Sequence, residues 1–451
     1  MNAKLILPLA GALLGLITSA WAQEKALTMD QAVQSALERN LNVVQAQNNV
    51  ASAQSRVLAS QGSYLPTLSA SGSWTRTQND SHGESPVVLP SGQVLPGASG
   101  FSVNSYFSTG LNLDYTLFDG FRREATLNSA SSSAVATEQL SSRTRQSIVY
   151  QTQSAYINAL RNEQLVKVSE ENLKRDYRQL ERITESNRVG ALSLADVYRQ
   201  QSQVATDELS VINAQNNYDK AKADLISLIG LEVNENYALV DPGLAPEALE
   251  SELSAAPDPN RNFSSVAAKA LASRPDYMSA TENLDAAESG VTAARSGYFP
   301  RVSAFAGYGI SNTEFSRISD NKNLRWGISI GWNIFDGFQT NESIQSAIVS
   351  RRNAEVALKQ AERNINVEVK KALLDLDAAR KAYDVSQKGL VSATQDRKIA
   401  EERYNLGAGT LLDLLTANAG LVNAQANKVN ASYDFIIANR NVEYATGERT
   451  Y

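Results

Sequence analysis

In four short stretches of this chain, apolar and polar residues alternate with a period of two. Leu68, Ala70, Gly72 and Trp74 share one face, with Thr67, Ser69, Ser71, Ser73 and Thr75 on the other. Phe107, Thr109, Leu111, Leu113, Tyr115 and Leu117 alternate with Ser108, Gly110, Asn112, Asp114 and Thr116. Val302, Ala304, Ala306, Tyr308 and Ile310 make a third strip, and Leu324, Trp326, Ile328, Ile330, Trp332 and Ile334 the most regular one. Successive strand side chains point to opposite faces, so each stretch predicts a strand with one apolar and one polar side. Any one of them fits a half-buried sheet on a soluble core. Together, at about 10 residues each with aromatics near the ends, they fit a β-barrel facing lipid outside and water inside.

The rest of the chain has helical periodicity. Met29 to Gly62 and Ser265 to Ser296 read as helices that stop short of Pro66 and Pro300. Proline disfavours α geometry in the residue before it, so Leu65 and Phe299 are expected to be extended. Glu124 to Val189 runs 66 residues without Gly or Pro, and Gln339 to Leu406 runs 68, broken only by Gly389. Helices of that length would reach about 100 Å. Val166, Leu173 and Leu180, and likewise Leu376, Tyr383 and Leu390, recur every seven residues, with Tyr177 and Ile183 widening the first stripe. Such spacing predicts a coiled-coil-like seam. Each long helix turns at Gly190 or Gly407 and returns, over Ser193 to Leu228 and Thr410 to Ala445.

The order of these features occurs twice. Tyr64-Leu65-Pro66 returns as Tyr298-Phe299-Pro300, 234 residues on, and Phe118-Asp119-Gly120-Phe121 as Phe335-Asp336-Gly337-Phe338, 217 on. Gly190-Ala191 and Gly407-Ala408 keep the offset of 217. The chain is an internal duplication whose first copy carries 234 − 217 = 17 extra residues, assigned to the Ser/Gly/Pro-rich loop Thr77 to Gly100. The organisation expected is a leader over 1–22 and a first repeat over 23–230, with β-hairpin 66–118 and helical hairpin 124–229. A Pro-rich irregular connector over 231–262 leads to a second repeat over 263–451, with β-hairpin 300–335 and helical hairpin 339–446. Pro66, Gly120, Pro300 and Gly337 mark the strand–helix junctions.

Composition narrows the function. Lys4, the apolar run Leu5 to Ile17 and Ala20-Trp21-Ala22 fit a secretory leader. Without a cysteine there is no lipid anchor on a mature N-terminal Cys, no disulfide and no thiolate metal site. The net charge of −6 becomes −7 without Lys4, and no basic block points to nucleic acid. The single histidine, His82, sits in the long loop, and no metal-ligand spacing, phosphate loop or nucleophile elbow occurs. Neither an enzyme nor a cofactor is expected. Four strands cannot close a membrane barrel, and an open edge in lipid leaves backbone groups without partners. The chain is therefore expected to oligomerise around a water-filled conduit. A periplasmic adaptor or an envelope coiled-coil protein would explain the helices but not two halves with four alternating strands.

The duplicated halves, the Tyr-x-Pro and Phe-Asp-Gly-Phe junctions and the Gly190 and Gly407 turns resemble the TolC family of outer-membrane efflux and type I secretion channels. The resemblance spans Leu27 to Gly447. It implies an α+β membrane protein of a Gram-negative outer membrane: a homotrimer with a 12-stranded β-barrel, four strands per chain, continued by a long periplasmic α-helical barrel. It also implies a periplasmic adaptor, an inner-membrane pump of RND, ABC or MFS type, and an equatorial domain, here reduced because few residues follow Gly447. Arg188, Val189, Gly190, Leu406 and Gly407 fall on the adaptor-docking tips. Asp413 matches the first of two aspartates that constrict the entrance, and the second falls on Thr416. Asp196 and Tyr404 match residues that link neighbouring hairpins in the closed state, while the family's arginine partner falls on Gly409. By spacing alone, Ser193-x-x-Asp196 and Thr410-x-x-Asp413 each also fit a helix-capping box.

Overall fold

The computed structural model describes residues 25–81, 86–95, 100–235, 237–240 and 263–448. In chain order the elements are β1 (Lys25–Leu27), α1 (Met29–Arg39), α2 (Leu41–Gly62), β2 (Thr67–Ser81), β3 (Val87–Val88), β4 (Val94–Leu95) and β5 (Gly100–Phe118). Then come α3 (Arg122–Arg188), α4 (Leu194–Leu228), β6 (Tyr237–Leu239), α5 (Phe263–Ser273), α6 (Pro275–Arg295), β7 (Arg301–Asn312) and β8 (Asn321–Gly331). The last two are α7 (Gln339–Asn405) and α8 (Leu411–Thr446). The expected leader, His82 and residues 241–262 of the connector lie outside the described residues.

The chain forms two compact units. One comprises Asn42–Gln146, Asn262–Lys371 and Ala445–Tyr451. It holds an antiparallel sheet in the order β2-β5-β7-β8, so the β5–β7 pair joins the two repeats. The registers Leu68↔Leu113, Leu113↔Ala306 and Ala306↔Trp326 align the four apolar strips on one face. On the other face, Asn112 and Arg325 flank Gly307, and Arg325 Nη2 donates to Asn112 Oδ1 at 3.2 Å. A Cβ on Gly307 would sit 3.0 Å from Arg325 Nε and Asn112 Oδ1, so a larger residue there would push both side chains aside.

Two strands differ from expectation. β2 runs on to Ser81 and β5 begins at Gly100, well inside the stretch read as a loop. On β2, Thr75 to Ser81 is polar throughout, so the alternation that signals a strand is absent there although the backbone ladder continues; on β5, Phe101 and Val103 still alternate with Ser102 and Asn104. At about 3.4 Å per residue, Thr67 to Trp74 spans about 24 Å, close to the height of a lipid-facing apolar band. Trp74 stacks on Phe107 at 6.2 Å, and Phe107 meets Phe315 edge-on at 5.5 Å. Beyond that aromatic cluster β2 turns polar, while β5 keeps Tyr106, Val103 and Phe101. In the other difference, β8 ends at Gly331 rather than Ile334, and Trp332 Nε1 donates to the Tyr298 carbonyl at 3.1 Å.

The helices before the strands are each broken once, where single helices were expected. Between α1 and α2, Asn40 is extended (φ −64°, ψ 128°) and buried, and its Nδ2 donates to Leu228 O at 2.8 Å. Between α5 and α6, Arg274 is extended (φ −78°, ψ 123°), 2% exposed, and its Nη1 donates to Ala445 O at 3.2 Å. Leu228 and Ala445 are 217 apart, Asn40 and Arg274 are 234 apart, and Gly230 and Gly447 that follow the capped helices both have positive φ. The break is therefore a repeated device: it aims a side chain at the orphan carbonyls ending α4 or α8. Arg274 adds a fork on Asp276 at 3.0 and 2.6 Å and a bond to Glu368 at 2.5 Å.

The other unit comprises Met1–Leu41, Ser147–Arg261 and Ala372–Tyr444. Here β1 and β6 pair in parallel, so part of the expected irregular connector is a strand. Tyr156, fully buried, donates its hydroxyl to Leu27 O at 2.8 Å, and Tyr150 stacks on Tyr444 at 5.0 Å. In the second hairpin Leu376 and Tyr383 are buried as the heptad reading expects. In the first the buried seam is Val166, Asn172, Asp176, Gln179 and Ile183, while Tyr177 is exposed. The seam is polar at its middle.

The sheet's two faces give a direct test. Ile330→Arg on the apolar face is expected to cost about 2–4 kcal/mol at the middle of a bilayer, read as loss of heat-resistant oligomer. Ser329→Arg on the polar face should leave the oligomer intact, and equal losses would reverse the assignment of faces.

Candidate functional site

Three places bring the sequence-predicted residues together: the strand–helix junctions, the hairpin tips, and the helix starts just behind the tips. Each Phe-Asp-Gly-Phe phrase opens a long helix with two consecutive left-handed residues, directly at the end of β5 in the first repeat and after residues 332–334 beyond β8 in the second. Gly120 and Phe121 have φ of 70° and 66°, Gly337 and Phe338 of 64° and 69°. Glycine accepts this conformation freely; a non-glycine residue there costs on the order of 1–3 kcal/mol. In both repeats the two Phe rings of the phrase meet edge-to-face at 5.7 Å, which offsets part of that cost. The aspartates serve the new helices: Asp119 pairs with Arg123 at 3.4 Å, and Asp336 Oδ2 accepts from Thr340 N at 2.9 Å and Oγ1 at 2.5 Å. Strained Phe121 and Phe338 were not foreseen, since φ has no signature in a phrase that reads simply as a turn.

Gly120 also makes room for its neighbour. A Cβ there would lie 2.8 Å from Phe299 Cβ and from Ser296 O, so the first junction packs directly on the Tyr298-Phe299-Pro300 turn. Phe299 is extended (φ −100°, ψ 154°), as the following Pro300 requires. Gly337 has open space at the same point, and Leu65 before Pro66 is exposed.

At the tips the two turns are superimposable in their bonding. Gly190 N donates to Asn187 O at 2.9 Å and Ala191 N to Ser186 O at 2.8 Å. Gly407 N donates to Tyr404 O at 3.0 Å and Ala408 N to Arg403 O at 2.8 Å. These are Schellman pairs closing a helix on a left-handed glycine (φ 80° and 70°). Directly before each glycine an aliphatic side chain is held out: Val189 is 72% exposed and Leu406 84%. Arg188 is also exposed, with Nε on Glu185 Oε2 at 2.9 Å.

The helix starts behind the tips use their aspartates as caps. Thr410 N and Oγ1 donate to Asp413 Oδ2 at 2.9 and 2.8 Å, and Asp413 N donates back to Thr410 Oγ1 at 3.2 Å. Those bonds to Thr410, with Arg403 nearby, hold the Asp413 carboxyl below its ordinary pKa, so it is charged at neutral pH. Asp413, Thr416, Arg403 and Asp396 line one groove, and Thr416 Oγ1 donates to Leu412 O at 2.9 Å. Asp196 Oδ2 accepts from Ser193 Oγ at 2.8 Å and Oδ1 from Arg199 at 3.1 Å. Tyr404 packs on the cluster Ile183, Val197 and Leu411, where burial and then the Asp196 charge push its pKa up. Asp196 and Tyr404 thus sit within electrostatic reach, but Ser193 and Arg199 take the carboxylate's bonds. Arg403 packs against Gly409, whose Cβ would lie 3.2 Å from Arg403 Cβ. A basic group therefore stands beside Gly409.

The pattern of strands, junctions and tips has known counterparts. A model of outer membrane efflux proteins matches residues 32–231 and 266–448, which is most of both repeats. The chain belongs to the outer membrane efflux protein family. It is 26% identical over 374 residues to the outer membrane protein TolC of Escherichia coli K12, covering 75% of this chain and 74% of that protein. To the probable efflux pump outer membrane protein TtgC of Pseudomonas putida it is 25% identical over 431 residues, 94% of this chain and 83% of that one. The fold matches the CmeC outer membrane channel of Campylobacter jejuni with a TM-score of 0.76 at 21% identity, covering 99% and 94% of the two chains. This efflux protein is a channel of the Gram-negative outer membrane with a long periplasmic helical part. No helix among the described residues is long and apolar enough to cross a membrane.

Asp413 separates a cap from a gate. Asp413→Asn keeps an oxygen for Thr410 but removes the charge. If the carboxylate lines the entrance, cation preference and block by multivalent cations in planar bilayers should fall with the oligomer intact. Unchanged selectivity would leave Asp413 as a cap alone.

Proposed function

We propose that three copies of this chain close one 12-stranded barrel and form the outer-membrane exit duct of a tripartite efflux or type I secretion system. An adaptor docks on the Val189 and Leu406 tips and couples the duct to an inner-membrane pump of RND, ABC or MFS type. Asp413 and Thr416 form the periplasmic entrance, and the Asp196–Tyr404 neighbourhood holds the hairpins together at rest. The observation that carries the oligomer is the open sheet. β2 and β8 are edge strands, and in lipid their unpaired backbone groups must find partners.

The internal duplication supplies the pairing. Phe118 ends β5, and Tyr115 to Phe118 are held by β7 through pairs such as Tyr115↔Ala304. Their counterparts Trp332 to Phe335 have no strand beside them, since β7 begins at Arg301 opposite Gly331. Applying the 217 and 234 offsets to the β5–β7 register brings β8 beside β2 of the next copy. Asn112↔Gly307 then maps to Ser329 facing Ser73 of that copy. The same operation seats the next copy's Leu65 on Gly337, as Phe299 sits on Gly120. Four strands per copy give eight in a dimer and 12 in a trimer; the family resemblance favours the trimer.

A cysteine-free chain makes this testable by disulfide trapping. Ser73→Cys with Ser329→Cys should crosslink copies to the trimer under oxidation, because facing Cβ atoms in a sheet lie about 4.5–5.5 Å apart. Within one copy the two positions are separated by two intervening strands, about 14 Å across the sheet, and by eight residues along it, since Ser73 lies in line with Asn321. Monomer-only products would therefore refute the register. Ser71→Cys with Ser329→Cys, displaced by two residues, should crosslink poorly.

The docking role is tested at the tips. Val189→Asp with Leu406→Asp is expected to abolish export in cells while the crosslinked trimer still forms. Export at the original level would remove the tips from the adaptor contact.

A further inference from the structure

The first hairpin buries two carboxylates against each other. Asp176 on α3 is 1% exposed and Asp207 on α4 is 5% exposed. Asp207 Oδ1 accepts from Gln203 Nε2 at 3.1 Å, and Gln200, fully buried, donates Nε2 to the Asp176 backbone carbonyl at 3.2 Å. Asp176 Oδ1 and Asp207 Oδ2 are buried without a donor. The two side chains lie within hydrogen-bond reach of each other, yet ionised carboxylates only accept. Something must sit between them.

No cation does so among the described residues. Arg175, next to Asp176 on α3, turns its Nη2 to Asn172 Oδ1 at 3.2 Å; its charge and a bond from the Gln200 amide favour the ionised Asp176 carboxyl but are outweighed by burial and Asp207. Arg397 on α7, which faces Arg175, is taken by Asn418 at 3.1 Å and Glu401 at 2.7 Å. The amides of Gln200 and Gln203 on α4 are neutral. Two bare charges at this separation in a buried seam would repel strongly, and a proton is the compensation the geometry leaves. Burial, followed by the bond to Asp207, pushes the Asp176 carboxyl up to about 8.

We propose that Asp176 and Asp207 share one proton and that this proton clasps α3 to α4 behind the entrance. Asp176 donates its carboxyl O–H to Asp207 Oδ2; when the proton leaves to solvent, both carboxylates are charged and the helices separate locally. The direction follows from linkage. The closed hairpin holds a proton that the opened one releases through the ordinary carboxylate range, so opening becomes easier as pH rises and levels off once the closed pair has also ionised. One turn nearer the tip on α3, Gln179 bears on Tyr404, which packs against Ile183, Val197 and Leu411. Opening at the clasp thereby loosens the contact between the first and second hairpins, and alkaline medium favours an open entrance.

Two measurements on the full-length oligomer test this without using transport, so they stand or fall apart from the duct. The first is amide hydrogen exchange over residues 172–211, corrected for the intrinsic pH dependence of exchange. The opening equilibrium should rise about tenfold per pH unit from pH 6 to 8 and then flatten. Asp176→Asn supplies a fixed N–H donor to Asp207 and should give a low, flat profile. The second is infrared difference spectroscopy, in which a protonated-carboxyl band present at pH 6 and gone at pH 10 should be missing from Asp176→Asn. A wild-type opening equilibrium that does not change between pH 6 and 8 overturns the clasp. So does a slope that persists in the Asn variant, or the absence of the band. If that variant does not assemble, the wild-type slope and band still decide.

Discussion

Every backbone N–H and C=O that enters a bilayer must be bonded, and this constraint shapes the whole chain. It forces the strands into one antiparallel sheet and ties the two repeats together through β5 and β7. It also leaves β2 and β8 as edges that one copy cannot satisfy. Alternation follows from the same geometry, since a strand with lipid on one side and water on the other must change polarity at every residue. Where β2 continues past Trp74 its sequence turns polar on both faces, while its partner β5 keeps Tyr106, Val103 and Phe101. The ladder persists there because pairing needs only backbone.

The junctions convert one form of backbone satisfaction into another. Strand bonds run between segments and helix bonds within one, so the chain must change direction between them, over three residues after β5 and seven after β8. Two left-handed residues do this, and placing a Phe in the second position is unfavourable unless its ring is held. The edge-to-face contact with the Phe three residues earlier holds it, twice. A proline fixes the opposite transition, from helix to strand, by keeping the residue before it extended. Each phrase therefore encodes a specific backbone event rather than a generic turn.

These events explain what was legible. Duplication, four alternating strips, glycine turns and helix-ending prolines all have periodic or compositional signatures, and the architecture follows from them. The break at Asn40 had none, and the one at Arg274 had only Pro275, which keeps the residue before it extended. The role of both positions, capping a helix that ends 188 or 171 residues later, is a tertiary contact. The heptad reading of α3 holds at Val166, Leu180 and Ile183 but not between them, for a similar reason. Tyr177 is exposed and Leu173 only half-buried, whereas Asn172, Asp176 and Gln179 are buried. Polar side chains on a helix read as solvated faces unless a facing helix supplies matching polar groups. Asp413 is legible twice, as a cap by its spacing and as an entrance residue by resemblance, and the Thr410 bonds realise the first without consuming its charge.

The polar seam has a mechanical consequence. Apolar burial stabilises a coiled-coil contact whatever the protonation state, as at Leu376 and Tyr383 in the second hairpin. A seam through Asn172, Asp176, Gln179 and Gln200 is held by directional bonds and by the proton content of one carboxylate pair. Its free energy of separation is therefore smaller and depends on conditions, which is the character of elements that move. A duct must stay sealed in the lipid and open at its far end, and the two demands call for different interactions. Backbone ladders and apolar faces, insensitive to protonation, hold the sheet. Buried polar contacts, sensitive to it, are placed in the hairpin behind the tip, where separation is useful.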